Sequence, residues 1–531
     1  MKGERQLLDC TLRDGGYVND WQFGSDNIAY LFEREVTSGV DFIEVGFLDA
    51  RREFDPERTI QPDTASFDAM FRGLPKHDSR LVAMIDLGTC PVERVAPKEE
   101  SALDGIRVIF KKDRRQEAVR FGAELKRLGY LVFIQAVSIT DYTEAELSDL
   151  VREVNGLRPY ALSMVDTYGL LDDSKLMKTL AFIDERLAPE IAVGYHAHNN
   201  FQLGYANAVA ALRYDTSRTV LVDGSLYGMG KSAGNAPIEL IAMYMNEHCG
   251  KSYDVLEMQE AISSAVMDIY EKTPWGYKLF FYIAALNHCH PDYVAFLMNK
   301  RTLSVSAINE ILKKIPPEEK LKKNMALVEK LYLSYQNTEC DDTEDRARLR
   351  KALAGKEILL IGPGKSVREE EEKIRAYAER GNVVTMTVNH TLPGFRDPYL
   401  FLTNVRRYNM AAGKLANNKE IRIVATSNVR RAGGSFDYTL RYSSLLDSSA
   451  EFPDNSLLMA LRALQDAGAS SVTLAGFDGY TPYDLNFYDG RMAYDFVSEK
   501  AETLNSQVKD FLRSGTLAIP VRFLTKSRYE E

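Results

Sequence analysis

The chain has 531 residues, 45% of them apolar and 27% charged, with a net charge of −10. That length is too great for one ordinary domain and fits two or three, and the acidic balance argues against a nucleic-acid binder, which needs a basic field. No run of about 18 apolar residues occurs, and no apolar signal core follows Met1. Five scattered cysteines without Cys-x-x-Cys spacing suit a reducing compartment. The expectation is a soluble, cytoplasmic protein with neither membrane nor nucleic-acid partners.

Along the first 300 residues, short runs rich in Val, Ile, Leu and Phe alternate with longer amphipathic stretches. The runs are Gln6–Leu12, Asp41–Leu48, Arg80–Ile85, Ile106–Phe110, Leu131–Val137, Ala161–Val165, Ile191–Tyr195 and Thr219–Val222. Between them lie helical patterns such as Gln116–Leu128 and Glu144–Glu153. Eight strand–helix repeats over about 250 residues are the count and length of a TIM barrel; a doubly wound open sheet is the competing arrangement. From Val255 to about Gln336 the pattern is helical, broken at Pro316-Pro317. The acidic stretch Asp341–Asp345 has no apolar period and marks a boundary. After it come strand-like runs at Glu357–Ile361, Val383–Val388, Leu400–Thr403, Ile421–Thr426, Val472–Ala475 and Val521–Leu524. The fold class expected is α/β: a (β/α)8 barrel over 1–300, a helical extension and linker over 301–345, and a Rossmann-like open α/β domain over 346–531.

Active sites of TIM barrels sit at the carboxyl ends of the strands. Strand 1 leads into Thr11-Leu12-Arg13-Asp14-Gly15, strand 2 carries Glu44, strand 6 ends at Asp166, strand 7 at His196-Ala197-His198, and strand 8 leads to Gly228–Asn235. Residues i and i+2 of a strand share a face, so His196 and His198 can both point to the barrel axis. Two imidazoles and a carboxylate suit Mn²⁺, Mg²⁺, Zn²⁺ or Co²⁺ and leave positions open for substrate. The alternative is a pair of hydrogen-bonded histidines with no metal. A second pair, His288-Cys289-His290, follows a helical pattern, where i and i+2 diverge by about 200° and do not share an ion easily.

Thr11-Leu12-Arg13-Asp14-Gly15, Glu44 and His196-x-His198 together resemble the DRE-TIM metallolyase superfamily, over roughly residues 7–300. The resemblance implies that Asp14, His196 and His198 bind a divalent metal, Mn²⁺ foremost, with Asn235 a further ligand or neighbour. It implies that Arg13 stabilises an enolate and that Glu44 supports Arg13. His196-Ala197-His198-Asn199-Asn200, Gly234-Asn235-Ala236-Pro237 and Trp275-Gly276-Tyr277 are most similar to the 4-hydroxy-2-oxovalerate aldolases. The implied activity is a carbon–carbon lyase taking small 2-oxo acid and aldehyde substrates; a Claisen-type acyl-CoA synthase or lyase is the alternative within the superfamily.

Where those aldolases carry a histidine thought to act as general base, this chain has Tyr17. A phenol, with an ordinary pKa near about 10, is a poor base unless the metal or Arg13 lowers it. Tyr17 therefore stands as a catalytic candidate, and the resemblance implies a second in Tyr277, which matches a tyrosine placed near the site in those aldolases; each is either active or merely packed, and Asp166 is either support or catalyst. In the C-terminal part, Gly362-Pro363-Gly364-Lys365-Ser366 lies between a strand and a helix, a context for phosphate. It is not a P-loop, because Leu359 stands where the first glycine belongs. The layout is vaguely similar to sialyltransferase-like nucleotide-sugar folds. A nucleotide or sugar-phosphate site and a purely structural role both stay open there, as do a homo-oligomer and a place in surface polysaccharide synthesis.

Overall fold

A computed structural model describes residues 3–300, 303–336, 340–392, 398–417, 419–431, 434–447, 450–482, 486–492 and 495–530. Its strands follow the apolar runs. In the first part these are β1 Arg5–Asp9, β2 Phe42–Leu48, β3 Arg80–Asp86, β4 Gly105–Phe110, β5 Leu131–Val137, β6 Ala161–Asp166, β7 Ala192–Ala197 and β8 Val220–Gly224. All neighbours pair in parallel, and β1 pairs with both β8 and β2. The sheet therefore closes into an eight-stranded TIM barrel, and the open-sheet alternative falls. A further two-residue strand, Ile60–Gln61, lies outside β2 and was not legible as an apolar run.

Two strand ends differ from the sequence expectation, and both shape the site. β1 stops at Asp9 rather than Leu12, because the N–H groups of Arg13, Asp14 and Gly15 all turn back to the Cys10 carbonyl. β7 continues through His196 to Ala197 rather than stopping at Tyr195. The helical pattern near residue 280 forms Leu279–Leu286 and then stops; His288 is left-handed, at φ 50°. His288 and His290 belong to no metal-competent group among the described residues.

Inward positions along the strands change character from bottom to top. Leu8, Phe42, Val82, Phe133, Ala161, Ala192 and Leu221 form an apolar layer. Two residues further along their strands, Glu44, Gln135, Ser163 and Asp223 are also buried, joined by Arg107 from β4. The helices pack outside, on a core of Val, Ile, Leu and Phe that faces away from the axis. Several start on side-chain caps: Thr143 and Glu146 make a reciprocal capping box for Glu144–Leu157, and Asp172 accepts from Lys175 N.

By its internal contacts the chain divides into Met1–Pro291 and Asp292–Glu531. The acidic stretch near 341–345 is no free linker: Thr343–Leu353 is helical, and Asp342 pairs with Arg346 at 2.7 Å. The second unit holds a parallel sheet of β9 Glu357–Ile361, β10 Val383–Val388, β11 Tyr399–Leu402, β12 Arg422–Thr426, β13 Tyr438–Leu440, β14 Ser471–Ala475 and β15 Val521–Phe523. The order is β13-β12-β11-β10-β9-β14-β15, an open Rossmann-like sheet. β13, Tyr-Thr-Leu, is too short and mixed to announce itself in the sequence. No described helix is long and apolar enough to cross a membrane.

Candidate metal centre

The turn after β1 places Arg13 and Asp14 over the barrel mouth. Thr59 Oγ1 and Trp21 Nε1 hold it by donating to the Leu12 and Arg13 carbonyls, at 2.6 and 2.7 Å. From the neighbouring strand, the loop after β8 folds back so that Asn235 forms an antiparallel bridge with His198. Asp14, His196 and His198 are thereby brought together. Each offers a ligand atom within 4.8 Å of the others, and all three are buried. Among the described residues this is the group of His, Cys, Asp and Glu side chains that could hold a metal ion.

The donor set fits a divalent ion. Asn235 Oδ1 and His198 Nδ1 are buried without a partner among the described residues, and buried polar atoms are rarely left so. Asn235 Nδ2 donates to Asp14 Oδ2 at 2.8 Å and to the Met229 carbonyl at 3.1 Å, which fixes the amide oxygen on the other side. His196 Nδ1 lies 3.0 Å from Asp223 Oδ2, the orienting contact typical of ligating imidazoles, and it leaves Nε2 for an ion. Burial pushes His198 down to about 3, so its ring is neutral and able to ligate. Burial would raise the Asp14 carboxyl, but Arg13 and the two histidines outweigh it and hold Asp14 below the usual carboxylate range. Gly230 keeps the cradle open: a Cβ there would lie 2.3 Å from Asn235 Nδ2 and 2.6 Å from Asp14 Oδ2.

Arg13 is 5% exposed. Its Nε donates to Glu44 Oε2 at 2.7 Å, its Nη1 to Asp14 Oδ1 at 2.5 Å, and its guanidinium lies over the Phe47 ring. Burial opposes its charge, but Glu44 and Asp14 more than compensate and hold it above the ordinary arginine value. Glu44 also accepts from Arg107 Nη1 at 2.8 Å, and Arg107 Nη2 bonds Asp223. The chain of contacts runs Arg13–Glu44–Arg107–Asp223–His196. Sequence reasoning passed over Arg107 and Asp223. Their signal was a lone charge at an inward position of an apolar strand, in Gly-Ile-Arg-Val-Ile-Phe and Val-Leu-Val-Asp-Gly.

Tyr17 stands at the mouth, 41% exposed, edge-on to Trp21 and Phe47, with Lys231 Nζ 5.2 Å from its ring centroid. Although the residue as a whole is partly exposed, packing around its hydroxyl and the Asp14 charge push its phenol above the ordinary value. Tyr277 is 58% exposed and packs on Tyr282; no described contact brings it to the cluster. Asp166 accepts the N–H groups of Leu170 and Leu171 at 2.8 and 3.0 Å, which ties its carboxylate to the loop after β6. Burial still lifts it to about 6.

The chain is similar to known proteins over its first half. A family model described as HMGL-like matches residues 4–264. A 4-hydroxy-2-oxovalerate aldolase of Salinispora arenicola is 28% identical over 276 residues, 50% of this chain and 74% of that protein. An oxaloacetate decarboxylase of Mycobacterium tuberculosis is 24% identical over 278 residues, 51% of this chain and 78% of that protein. The crystal structure of hydroxymethylglutaryl-CoA lyase from Pseudomonas aeruginosa aligns at 16% identity and a TM-score of 0.42, covering 51% of this chain and 95% of that one. Residues 4–264 thus form a TIM-barrel domain of the HMGL-like family, and the protein is a lyase.

Proposed function

We propose that the barrel is a divalent-metal-dependent aldolase that forms or breaks a carbon–carbon bond beside a 2-oxo acid, with the enolate of pyruvate as one partner. The observation that carries this reading is the meeting of two elements in one buried mouth: the Asp14–His196–His198 group and a charged Arg13 locked by Glu44. The aldolase and decarboxylase relatives, whose named substrates are both 2-oxo acids, support it.

Asp14, His196 and His198, with Asn235 Oδ1 beside them, would hold the ion, and the mixed nitrogen and oxygen donors suit Mn²⁺. When bound, such an ion supplies Lewis acidity toward a 2-oxo acid's carbonyl and carboxylate. Arg13 places a permanent cation where negative charge develops on the enolate oxygen, and Glu44 aims it, so no reorganisation is needed during the reaction. Tyr17, protonated at neutral pH, would donate its proton to the alkoxide that becomes the product hydroxyl when the bond forms. Tyr277, exposed and packed on Tyr282, is given no step in this reading.

The test uses the metal-loaded full-length protein with pyruvate in deuterated water, read by NMR. Exchange at C3 is expected; its absence in protein of verified metal content would overturn the reading. Replacing His196 or Asp14 with Ala should abolish tight metal binding and exchange together, whereas Arg13→Ala should keep the metal and lose exchange. A panel of aldehydes with pyruvate, set against 2-oxo acids with acetyl-CoA, separates an aldolase from a Claisen-type enzyme.

A further inference from the structure

The second unit carries a set of buried polar groups that the barrel chemistry does not use. Its chain leaves β9 toward one edge of the sheet and later returns to β14 on the other side. Open α/β sheets bind ligands at the carboxyl ends of the strands beside such a reversal. The glycine loop after β9 is itself closed: Asp478 accepts from Ser366 N at 2.9 Å and from Ser366 Oγ. A carboxylate already sits where the sequence suggested a phosphate.

One strand along, at the end of β10, the situation is different. His390 is 2% exposed, and among the described residues its Nε2 has no hydrogen-bond partner. Its Nδ1 lies 3.0 Å from the Val388 carbonyl. That oxygen can only accept, so Nδ1 carries the proton and Nε2 presents a lone pair. Asn389 before it is left-handed, at φ 59°, and its side chain is fixed to Thr403 N, Thr403 Oγ1 and Ser456 Oγ at 3.0, 3.0 and 2.8 Å. The histidine is thus held in place by its backbone, while its outer nitrogen goes unused.

Three cations act on this ring, and acidic groups stand among them: Arg368 also pairs with Glu371 at 3.3 Å, and Lys414 acts on Asp489. Arg407 and Lys414, from the helix Val405–Asn417, and Arg368 all act on His390 electrostatically. Arg407 is 6% exposed, held by the Met492 carbonyl at 2.6 Å and lying over Phe487. Arg368 lies over the ring of Tyr488, which is edge-on to His390 at 5.8 Å. A metal ion is a poor occupant beside three positive charges. A ligand suited to this end of the sheet carries negative charge toward the cations and a hydroxyl hydrogen for Nε2.

We propose that the carboxyl end of β10 binds a phosphate ester with a free hydroxyl, the hydroxyl donating to His390 Nε2 and the phosphate facing Arg368, Arg407 and Lys414. Burial and the cations push His390 down to about 4 and keep that lone pair available at neutral pH. A free sugar phosphate and a nucleotide share this chemistry. The site is independent of the barrel reading.

Calorimetric titration of the full-length protein at low salt with ribose 5-phosphate, with cytidine monophosphate and with inorganic phosphate tests it. At least one ester is expected to bind tenfold or more tightly than inorganic phosphate, and which one does so identifies the source. Lys414→Gln, on an exposed position, should weaken both the ester and inorganic phosphate several-fold. His390→Phe should weaken the ester tenfold or more and leave inorganic phosphate unchanged. Should His390→Phe fail to fold, the imidazole nitrogen resonances of the unaltered protein decide: an Nε2 shift on adding the ester supports the site, and none overturns it. Esters that bind no better than inorganic phosphate, or full ester affinity in folded His390→Phe, also overturn it.

Discussion

Arg107 is wholly buried and contacts two carboxylates, Glu44 and Asp223, that in turn hold Arg13 and His196. Removing one member of a buried ion network leaves the others uncompensated and costs about 3–5 kcal/mol. Arg107→Met should show that loss in urea denaturation. It should also weaken Mn²⁺ binding by about 10–100-fold, the usual penalty for a displaced support of a ligating histidine. Destabilisation with unchanged metal affinity would make Arg107 a structural residue only. A second residue-scale prediction concerns Asp9, at the end of β1, and Glu35, on the helix Ser25–Ser38, which act on each other electrostatically and are both nearly unexposed. Burial pushes Asp9 up to about 7, and burial together with Asp9 pushes Glu35 well up. Both folded values exceed the unfolded ones, so the folded state binds more protons. The stability they contribute is complete below about pH 4 and is lost as pH rises through about 7. Denaturation of Glu35→Gln across pH 4 to 8 should give a flatter stability profile than the parent; an equal slope would count against the pair.

At the scale of elements, the loop from Gly228 to Asn235 does most to assemble the site, since it carries Asn235 to His198 and passes Gly230 beside Asp14. Gly230→Ala adds one methyl between two groups of the cradle, with little room to move. It should leave the barrel folded, judged by circular dichroism, and reduce metal affinity at least tenfold by equilibrium dialysis. Unaltered affinity would show that Asn235 and Asp14 need not approach this closely. The strands themselves were readable because a buried parallel strand is a run of Val, Ile and Leu. Their ends were less so: whether Leu12 extends β1 or joins a turn depends on the Cys10 carbonyl, Thr59 and Trp21, which no local pattern reveals.

At the scale of the whole molecule, both tryptophans, Trp21 and Trp275, lie in the first unit. Their fluorescence therefore reports unfolding of the barrel. A ligand that binds only the folded form at 100 times its Kd adds about 2.7 kcal/mol. Saturating Mn²⁺ should raise the tryptophan-detected Tm, and a chelator should reverse the shift; no shift with bound metal would mean that the ion also binds the unfolded chain.

Taken by itself, the sequence determined the kind of fold in each half and singled out the candidate site residues. Asp14, His196 and His198 stand out because ionisable groups at the ends of apolar strands are expensive unless they have a task, and Arg13 and Glu44 follow from the turn and strand that carry them. Tertiary structure alone decided how those residues are wired. Arg107 and Asp223, 116 positions apart, meet only because β4 and β8 face each other across a closed barrel. It also raised the phenol of Tyr17, placed Tyr277 on the surface, and closed the second unit's glycine loop with Asp478 while leaving His390 Nε2 without a donor among the described residues. The reason is physical: strand pattern is local, whereas burial, charge compensation and hydrogen-bond supply are set by neighbours distant in sequence.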